Sequence, residues 1–566
     1  GSSKCTLEEN YLFQKLARSV FGTNNIDNIS YGSGRPVLGL IDDRLHGGGR
    51  ITPLSDLEKA EAIFVIGANP VHSVPVAGYF IKRASRQKHI PLMVADPIKT
   101  DLVPFSSIWL PVAPQRDCEL INGLAAILFY RQAYDMAFID RFTLGFDQYA
   151  DQLSNIDLDD VSRSTGVERD VMEKAADLFE RKKTAFVVGH GIFQQRHGDR
   201  AMEALLNLAM MTGSLGGEEK GFYLLTRENN QMGAWDMGVA PDTLPGRQRL
   251  QNDRVRIQWE DHWGTKLSPD PGLDVVRIIE EAEKGNIKAL YIMGENPIRS
   301  LPQPERLGKA LGQVSLLVVQ DILATETSHL ADVVLPGAAF SEKGGAFTNM
   351  EGRIQSFEPV VSPPGEARPD WEILSRLFDD MGHPKKYTSL KDIRAEISSL
   401  VPMYEDLGRQ GREGWIKEAS DLSVFRADRE AEPIRFSSVS PVDDDMPDSV
   451  YPFKAILGSR RIHLGSGTRT SHSARIKDFD LKGEVEISPE DGDRLGVKEG
   501  EKVRISSAYG SIWRGVTLNK GIRAGHLFIP MAFHDNDARQ LIALTQLGEA
   551  DSPGWKGCPV NLERSD

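Results

Sequence analysis

Residues 62–96 read AIFVIGANPVHSVPVAGYFIKRASRQKHIPLMVAD, and their punctuation decides the fold. Ala62–Gly67 is a short continuous apolar run that ends at Ala68, Asn69 and Pro70. Val76–Lys88 is helical in character, and Pro91–Asp96 is a second apolar run. Strand, helix and strand within about 35 residues make a βαβ unit, which implies parallel strands and a right-handed crossover. A third short strand, Ile108–Leu110, completes the set.

The same rhythm continues outward. Helical patterns cover Leu7–Phe21, Asp117–Tyr134, residues 168–183 and Arg200–Met211, and apolar runs recur at Thr184–Gly191, Ala289–Gly294 and Ser315–Asp321. The expected fold class is α/β, with two open, mostly parallel α/β domains. Residues 1–114 with 331–403 form the first, and 115–330 the second. Residues 404–449 lose apolar periodicity, gain charge, Ser and Pro, and read as a linker ending in SPVDDDMPDS. From 450 to 566, short alternating strands punctuated by Gly and Asp predict a β-barrel.

A length of 566 residues is too great for one core. The 40% hydrophobic and 26% charged content are those of a globular protein. A net charge of −14 opposes general affinity for nucleic acid or anionic lipid, although 67 Lys and Arg leave room for local clusters around an anionic cofactor. No apolar run approaches the ~18 residues that span a bilayer, so direct membrane insertion is not expected. Cys5, Cys118 and Cys558 lie far apart and form neither a zinc ribbon nor a complete iron–sulfur ligand set. A reducing cytoplasm is the expected location, with any membrane contact peripheral and through partners. The abrupt start, with Ser2 and Ser3 running straight into a helix, gives the expectation of a fragment, or of a subunit whose first domain lies elsewhere.

In open parallel sheets, ligands sit at the carboxyl edge of the strands. Several strands here end in small or polar residues: Gly67-Ala68-Asn69-Pro70, Asp96-Pro97, Gly189-His190-Gly191, Gly294-Glu295-Asn296-Pro297 and Gln320-Asp321. Asp96 and Asp321 suit hydrogen bonding to a ribose or to the amino edge of guanine, or act as helix caps. No phosphate-binding G-x-x-x-x-G-K-[ST] motif is present, and Gly47–Thr52 (GGGRIT) reads as a loop. The densest polar signal is SEKGGAFTNMEGRIQ, Ser341–Gln355, followed by PPGEARPDW, Pro363–Trp371. It places Lys, Gly, Asn, Arg and Gln donors around a large polar ligand.

These two segments resemble the signature of the molybdopterin-dependent oxidoreductases. The resemblance spans nearly the whole chain, through KCTLEENYLFQKLARSVFGTNNID, GANP, ENNQMGAWDMG, LYIMGENP, VVQDILATET and ADVVLPG. In the tail, GSGTRT, VEISPEDGDRLGVKEGEKVRI, FHD and KGCPV resemble that family's C-terminal dinucleotide-binding barrel, of the double-psi type. The resemblance implies molybdopterin guanine dinucleotide as cofactor. Asn69, Asp96, Gly191, Gln194, Asn229, Asn230, Gly233, Asp236, Gly294, Glu295, Asn296, Asp321, Thr325, Arg353, Gln355, Thr468, His534, Asn536 and Lys556 occupy the matching positions.

Departures from the pattern carry equal weight. Formate dehydrogenase-like members place a Cys or selenocysteine, followed by His, after the Asn-Asn-x-Asp motif. This chain has ISYGSGRPVLGL there, Ile29–Leu40, within the Asn-, Ser- and Gly-crowded stretch Asn24–Leu40 that reads as a turn-rich loop. Ser30 or Ser33 could serve as an alkoxide ligand, Arg35 is near enough to meet an anionic substrate, and His46 or His190 could stand in for a lost ligand. The expectation is a site with no protein metal ligand and no residue of its own for catalysis. The departures resemble the large iron–sulfur subunit of bacterial NADH:quinone oxidoreductase, in which such a body scaffolds electron transfer. Iron–sulfur clusters would then lie in an absent N-terminal part or in partner subunits, which would carry flavin as well. A formate dehydrogenase alpha subunit, and a metal-free pterin-dinucleotide-binding module, are the alternative expectations.

Overall fold

The computed structural model describes residues 1–45, 53–215, 221–383, 385–407, 413–415, 433–439, 449–479, 481–533, 538–549 and 552–564. His46, Gly47–Thr52, His534 and Asn536 fall outside them. Two compact units divide the chain: Gly34–Leu225 with Asp421–Asp566, and Gly1–Ser33 with Thr226–Ser420.

In the unit that starts at Gly34, strands β1 (Ala62–Ile66), β2 (Leu92–Ala95), β3 (Ile108–Leu110), β4 (Thr184–Val188) and β5 (Gly221–Leu224) form one parallel sheet. Their order is β3-β2-β1-β4-β5. Every residue of β1, β2, β4 and β5 is buried, which is why these strands appear in the sequence as unbroken apolar runs. The crossover helix Pro75–Lys88 buries Ala77, Gly78, Ile81 and Ala84. A Cβ on Gly78 would stand 3.0 Å from the Val71 backbone, so only glycine permits this close turn.

Pairing of Ala62–Ile66 with Thr184–Val188 brings β4 into the sheet of the N-terminal βαβ unit. The sequence grouped residues 115–330 as a body of their own. A parallel strand finds its partner only after a long crossover, so TAFVVGHG carries no local sign of the sheet it enters. Downstream, Phe453–Gly458, His526–Pro530, Val485–Ile487, Ser511–Leu518, Lys502–Ser506 and Gly557–Arg564 close a six-stranded barrel. Within the stretch read as a linker, Ile434–Arg435 pairs with Thr143–Leu144, and Phe436 stacks on Tyr149 at 5.2 Å.

The other unit contains the parallel strands β6 (Ala289–Met293), β7 (Leu316–Asp321) and β8 (Val333–Pro336), in the order β8-β7-β6. An antiparallel ribbon follows, Gly345–Thr348 against Arg353–Phe357. The helical run at the N-terminus is α-helical over Leu7–Lys15 and continues as one π-helical stretch, Leu16–Val20. A capping box between Thr6 and Glu9 starts it. All nine residues of the α-helix are buried, including charged ones that the sequence pattern would place in solvent. Their partners come from far along the chain: Arg394 for Glu8, Lys343 for Glu9 and Glu396 for Lys15. No helix among the described residues is long and apolar enough to cross a membrane.

Candidate cofactor site

The strand order reverses between β1 and β4, and the carboxyl ends of these two strands define a crevice of the kind that holds nucleotides in open α/β sheets. Glycine makes the crevice possible. Gly67 has φ +57°, Gly189 donates to the Ile66 carbonyl at 3.1 Å, and Gly191 donates to the Gly67 carbonyl at 2.8 Å. A Cβ on Gly191 would sit 2.6 Å from that carbonyl oxygen and 2.7 Å from the Gly67 Cα. Gly191→Ala is therefore expected to destabilise the chain by about 1–3 kcal/mol and to disturb the crevice, measured as a lowered urea midpoint.

Polar atoms without protein partners follow two neighbouring strands of this sheet. Asn69 caps the short helix Pro70–Ser73, yet its side-chain Oδ1 is buried with no hydrogen bond. The Thr100 hydroxyl is buried and equally unpartnered. Asp96 follows β2 and spends one carboxylate oxygen on the Ile98 N–H at 2.9 Å, while its main-chain oxygen accepts from the Trp109 indole at 3.1 Å. Burial pushes the Asp96 carboxyl up to about 7, and the neighbouring Asp117 adds to this. Asp117 is itself raised to about 7 by burial, against a side-chain hydrogen bond from Gln195 that lowers it. Buried polar atoms normally find partners. Asn69 Oδ1 and Thr100 Oγ1 are two exceptions in this unit. Asp117, which opens the helix Asp117–Tyr130, and Thr100, in the loop after β2, were not anticipated, because polar residues are common at helix starts and in loops.

Gln194 is buried in the same unit, and its carbonyl accepts the Trp555 N–H at 2.7 Å; Gln195 and Gly554 bridge beside it. The barrel's last loop is thus fastened to the crevice. Lys556 is half-buried on that loop, and Thr468 lies in a turn where its hydroxyl meets Ser466 Oγ at 2.9 Å. His190 starts the short helix His190–Phe193 with its ring 5.3 Å from Phe193.

The other unit repeats the turn at the end of β6. Gly294 has φ +67°, and Asn296 has φ −123° and ψ 78°, against −115° and 75° for Asn69. Here, however, the polar groups are spoken for. Asn296 accepts from the Thr327 hydroxyl at 2.6 Å and donates to Glu326 at 2.8 Å. Glu295 accepts from Ser2 and Lys4, both at 2.7 Å. Asp321 takes the Ile322 N–H at 2.6 Å, and Thr325 closes a turn with Ser328. Asn230 ties Cys5 to Thr348, and Asp236 accepts from Tyr404 at 2.6 Å and pairs with Arg247. A Cβ on Gly233 would run into Asn230 Oδ1 at 2.0 Å. Asn229 and Gln355 are exposed, and Arg353 is half-buried on the antiparallel ribbon.

Asn24–Leu40 proves to be more ordered than a turn-rich loop. Asn24 donates to the carbonyls of Ser268 and Asp270, Asn25 accepts from Leu273 N–H, Asp27 from Val275 N–H, and Asn28 donates to the Val239 carbonyl. Arg18 anchors the start of this stretch: its guanidinium makes five hydrogen bonds, to Gln14, Asn24 and the carbonyls of Gly238, Ala240 and Thr243. The Asn and Asp side chains that read as turn formers clamp distant backbone instead. Helix follows at Ile29–Gly32 and again at Arg35–Arg44, where Pro36 fits the first turn. Ser33 Oγ donates to the Ser30 carbonyl at 3.1 Å. Among the described residues no three His, Cys, Asp or Glu side chains group as a metal site.

The unit that starts at Gly34 thus joins a parallel sheet with a switch-point crevice to a closed six-stranded barrel. Residues 1–380 match the molybdopterin oxidoreductase family, and residues 453–555 match the molydopterin dinucleotide binding domain. The chain belongs to the molybdopterin oxidoreductase family. It is 34% identical to the F420-dependent formate dehydrogenase subunit alpha of Methanocaldococcus jannaschii, over all of this chain and 85% of that protein. It is 30% identical to the NADPH-Fe(3+) oxidoreductase subunit alpha of Geobacter sulfurreducens, over 96% of this chain but only 62% of that one. Acetylene hydratase from Pelobacter acetylenicus shares the fold, with a TM-score of 0.74 over 98% of this chain and 84% of that one at 17% identity.

Proposed function

We propose that the protein is a formate dehydrogenase alpha-type subunit that holds a molybdopterin guanine dinucleotide at the edge of its five-stranded sheet. The observation that carries this reading is the polar edge itself: Asn69 Oδ1 and Thr100 Oγ1, buried without a hydrogen bond, and the buried Asp96 carboxyl, which spends one oxygen on the Ile98 N–H. A carboxylate and an amide oxygen accept from ribose hydroxyls and guanine N–H groups, and a threonine hydroxyl donates to phosphate. The residues present fit the nucleotide end of such a cofactor. When bound, the cofactor would supply the redox chemistry, through a metal carried on its dithiolene.

Relatives at 30–34% identity across the whole chain are named as formate dehydrogenases, which supports this reading over the NADH:quinone-type subunit expected first. The metal would receive no thiolate and no imidazole from Asn24–Leu40. Asp27 there is already committed, its two oxygens taken by the N–H groups of Asn28 and Val275. That same stretch favours a second reading, a body that keeps the cofactor fold and scaffolds electron transfer between iron–sulfur and flavin subunits.

Elemental and nucleotide analysis of the purified protein separates the readings. Molybdenum or tungsten near one per chain, guanine nucleotide on acid release, and formate-dependent dye reduction support the first. Nucleotide without metal identifies a pterin-binding module, and the absence of both identifies the scaffold.

A further inference from the structure

The helix Pro75–Lys88 turns a second face to solvent. Its buried side is Ala77, Gly78, Ile81 and Ala84. Opposite, Val76 and Tyr79 are 63% and 57% exposed. Spacings of three and four residues put Arg83 and Arg86 on the same face. The helix carries four basic residues and no acidic one, in a chain of net charge −14.

These side chains are organised by aromatic contacts. The Arg83 guanidinium lies 5.4 Å from the Tyr79 ring centre and 5.2 Å from Phe80. Lys82 and Arg86 both sit over Phe105, at 4.8 and 5.3 Å. Glu58 pairs with Arg83, and among the described residues Lys82 and Arg86 carry the remaining positive charge beside it; Lys88 falls on the row of Ile81 and Ala84, away from this face. Stacking on rings holds the long cationic side chains in place and lowers the entropy lost when a partner binds. Tyr and Arg around an exposed apolar pair are the residue types that dominate protein–protein contacts.

We infer that this face docks an acidic protein partner, and, resting on the oxidoreductase reading above, that the partner is a small acidic electron carrier. Charge complementarity supports a protein over a polyanion, since the acidic remainder of the chain repels extended nucleic acid or an anionic bilayer but not a compact acidic patch.

The test is surface plasmon resonance of the purified protein against an acidic iron–sulfur ferredoxin, which reads binding without turnover and so stands apart from the fate of the formate reading. Binding is expected to weaken several-fold between 50 and 300 mM salt, tenfold or more in Lys82→Glu/Arg86→Glu, and measurably in Tyr79→Ala. Lys82→Arg/Arg86→Lys should bind as the parent does. An unchanged melting curve confirms that each variant is folded. No salt-sensitive ferredoxin binding, or binding that the charge reversal leaves intact, overturns the inference. So does equal, reversal-sensitive binding to phosphatidylglycerol vesicles or to duplex DNA, which would make the face a general anion surface.

Discussion

Lys343→Met is expected to destabilise the chain by about 3–5 kcal/mol at pH 8, the cost of removing one partner from a buried charge cluster. Lys343 is 4% exposed and stands between Glu9, at 2.7 Å, and Asp370. Burial works against its ammonium, but Glu9 and Asp370 outweigh that and hold its pKa above the ordinary value. Glu9 goes the other way. Burial raises its carboxyl from 4.5 to about 7, Asp370 adds to this, and Lys343 opposes it. A carboxyl whose folded pKa lies above its unfolded one contributes most stability at low pH and loses it as pH rises, here between about 4.5 and 7. Without Lys343 the two carboxylates repel, so the deficit should be largest above pH 7 and shrink toward pH 5. Urea titrations at the two pH values measure this, and adding Glu9→Gln should recover part of the loss at pH 8. An equal deficit at both pH values would show that lost packing, not charge, sets the cost.

Asp96→Ala is expected to separate cofactor binding from stability. A hydrogen bond to a charged group contributes roughly 1.5–3 kcal/mol, so guanine nucleotide bound to the variant should weaken by one to two orders of magnitude. The cofactor-free chain, by contrast, should become more stable at pH 8. Burial raises this carboxyl from 3.8 to about 7, and ionising it above that range works against the fold. After allowance for the lost bond to the Ile98 N–H, a gain of about 1–2 kcal/mol is expected at pH 8, falling as pH drops and turning into a net loss of about 1–2 kcal/mol near pH 4, where only the lost bond remains. Isothermal titration with guanosine monophosphate and parallel urea curves test both halves. Loss of stability at pH 8 would show that Asp96 is a structural cap.

Strands such as AIFVI and LMVA were legible because residues buried on both faces must be apolar throughout, whereas Gly221–Leu224, a four-residue strand led by glycine, was not read. The barrel was legible from its alternation, visible in Lys502–Ser506, where Val503 and Ile505 point inward. What the sequence concealed depended on distant partners. Asn230 and Asp236 carry the family pattern, but their hydrogen bonds run to Thr348 and Tyr404, more than a hundred residues on. Asn24, Asn25 and Asp27 looked like turn formers because Asn and Asp favour turns locally; only the fold brings Ser268–Val275 within their reach. At the crevice, Asn69 and Asp96 could be read from strand ends, whereas Thr100 stands out only once burial leaves its hydroxyl without a partner.

The chain leaves its first unit after Ser33 and does not return until Thr226. On the ribosome, the helix Leu7–Lys15 therefore emerges roughly 200 residues ahead of the segments that cover it, and Lys343, Arg394 and Glu396 arrive later still. At elongation rates of about 5–20 residues per second, that is a wait of about 10–40 s before the helix and its buried charges find their cover. The sheet of the intervening segment can assemble in that interval from contiguous chain. Synthesis thus lets the five-stranded sheet form while the helix Leu7–Lys15 still awaits its partners, and the unit that holds this sheet is completed only when its barrel is made.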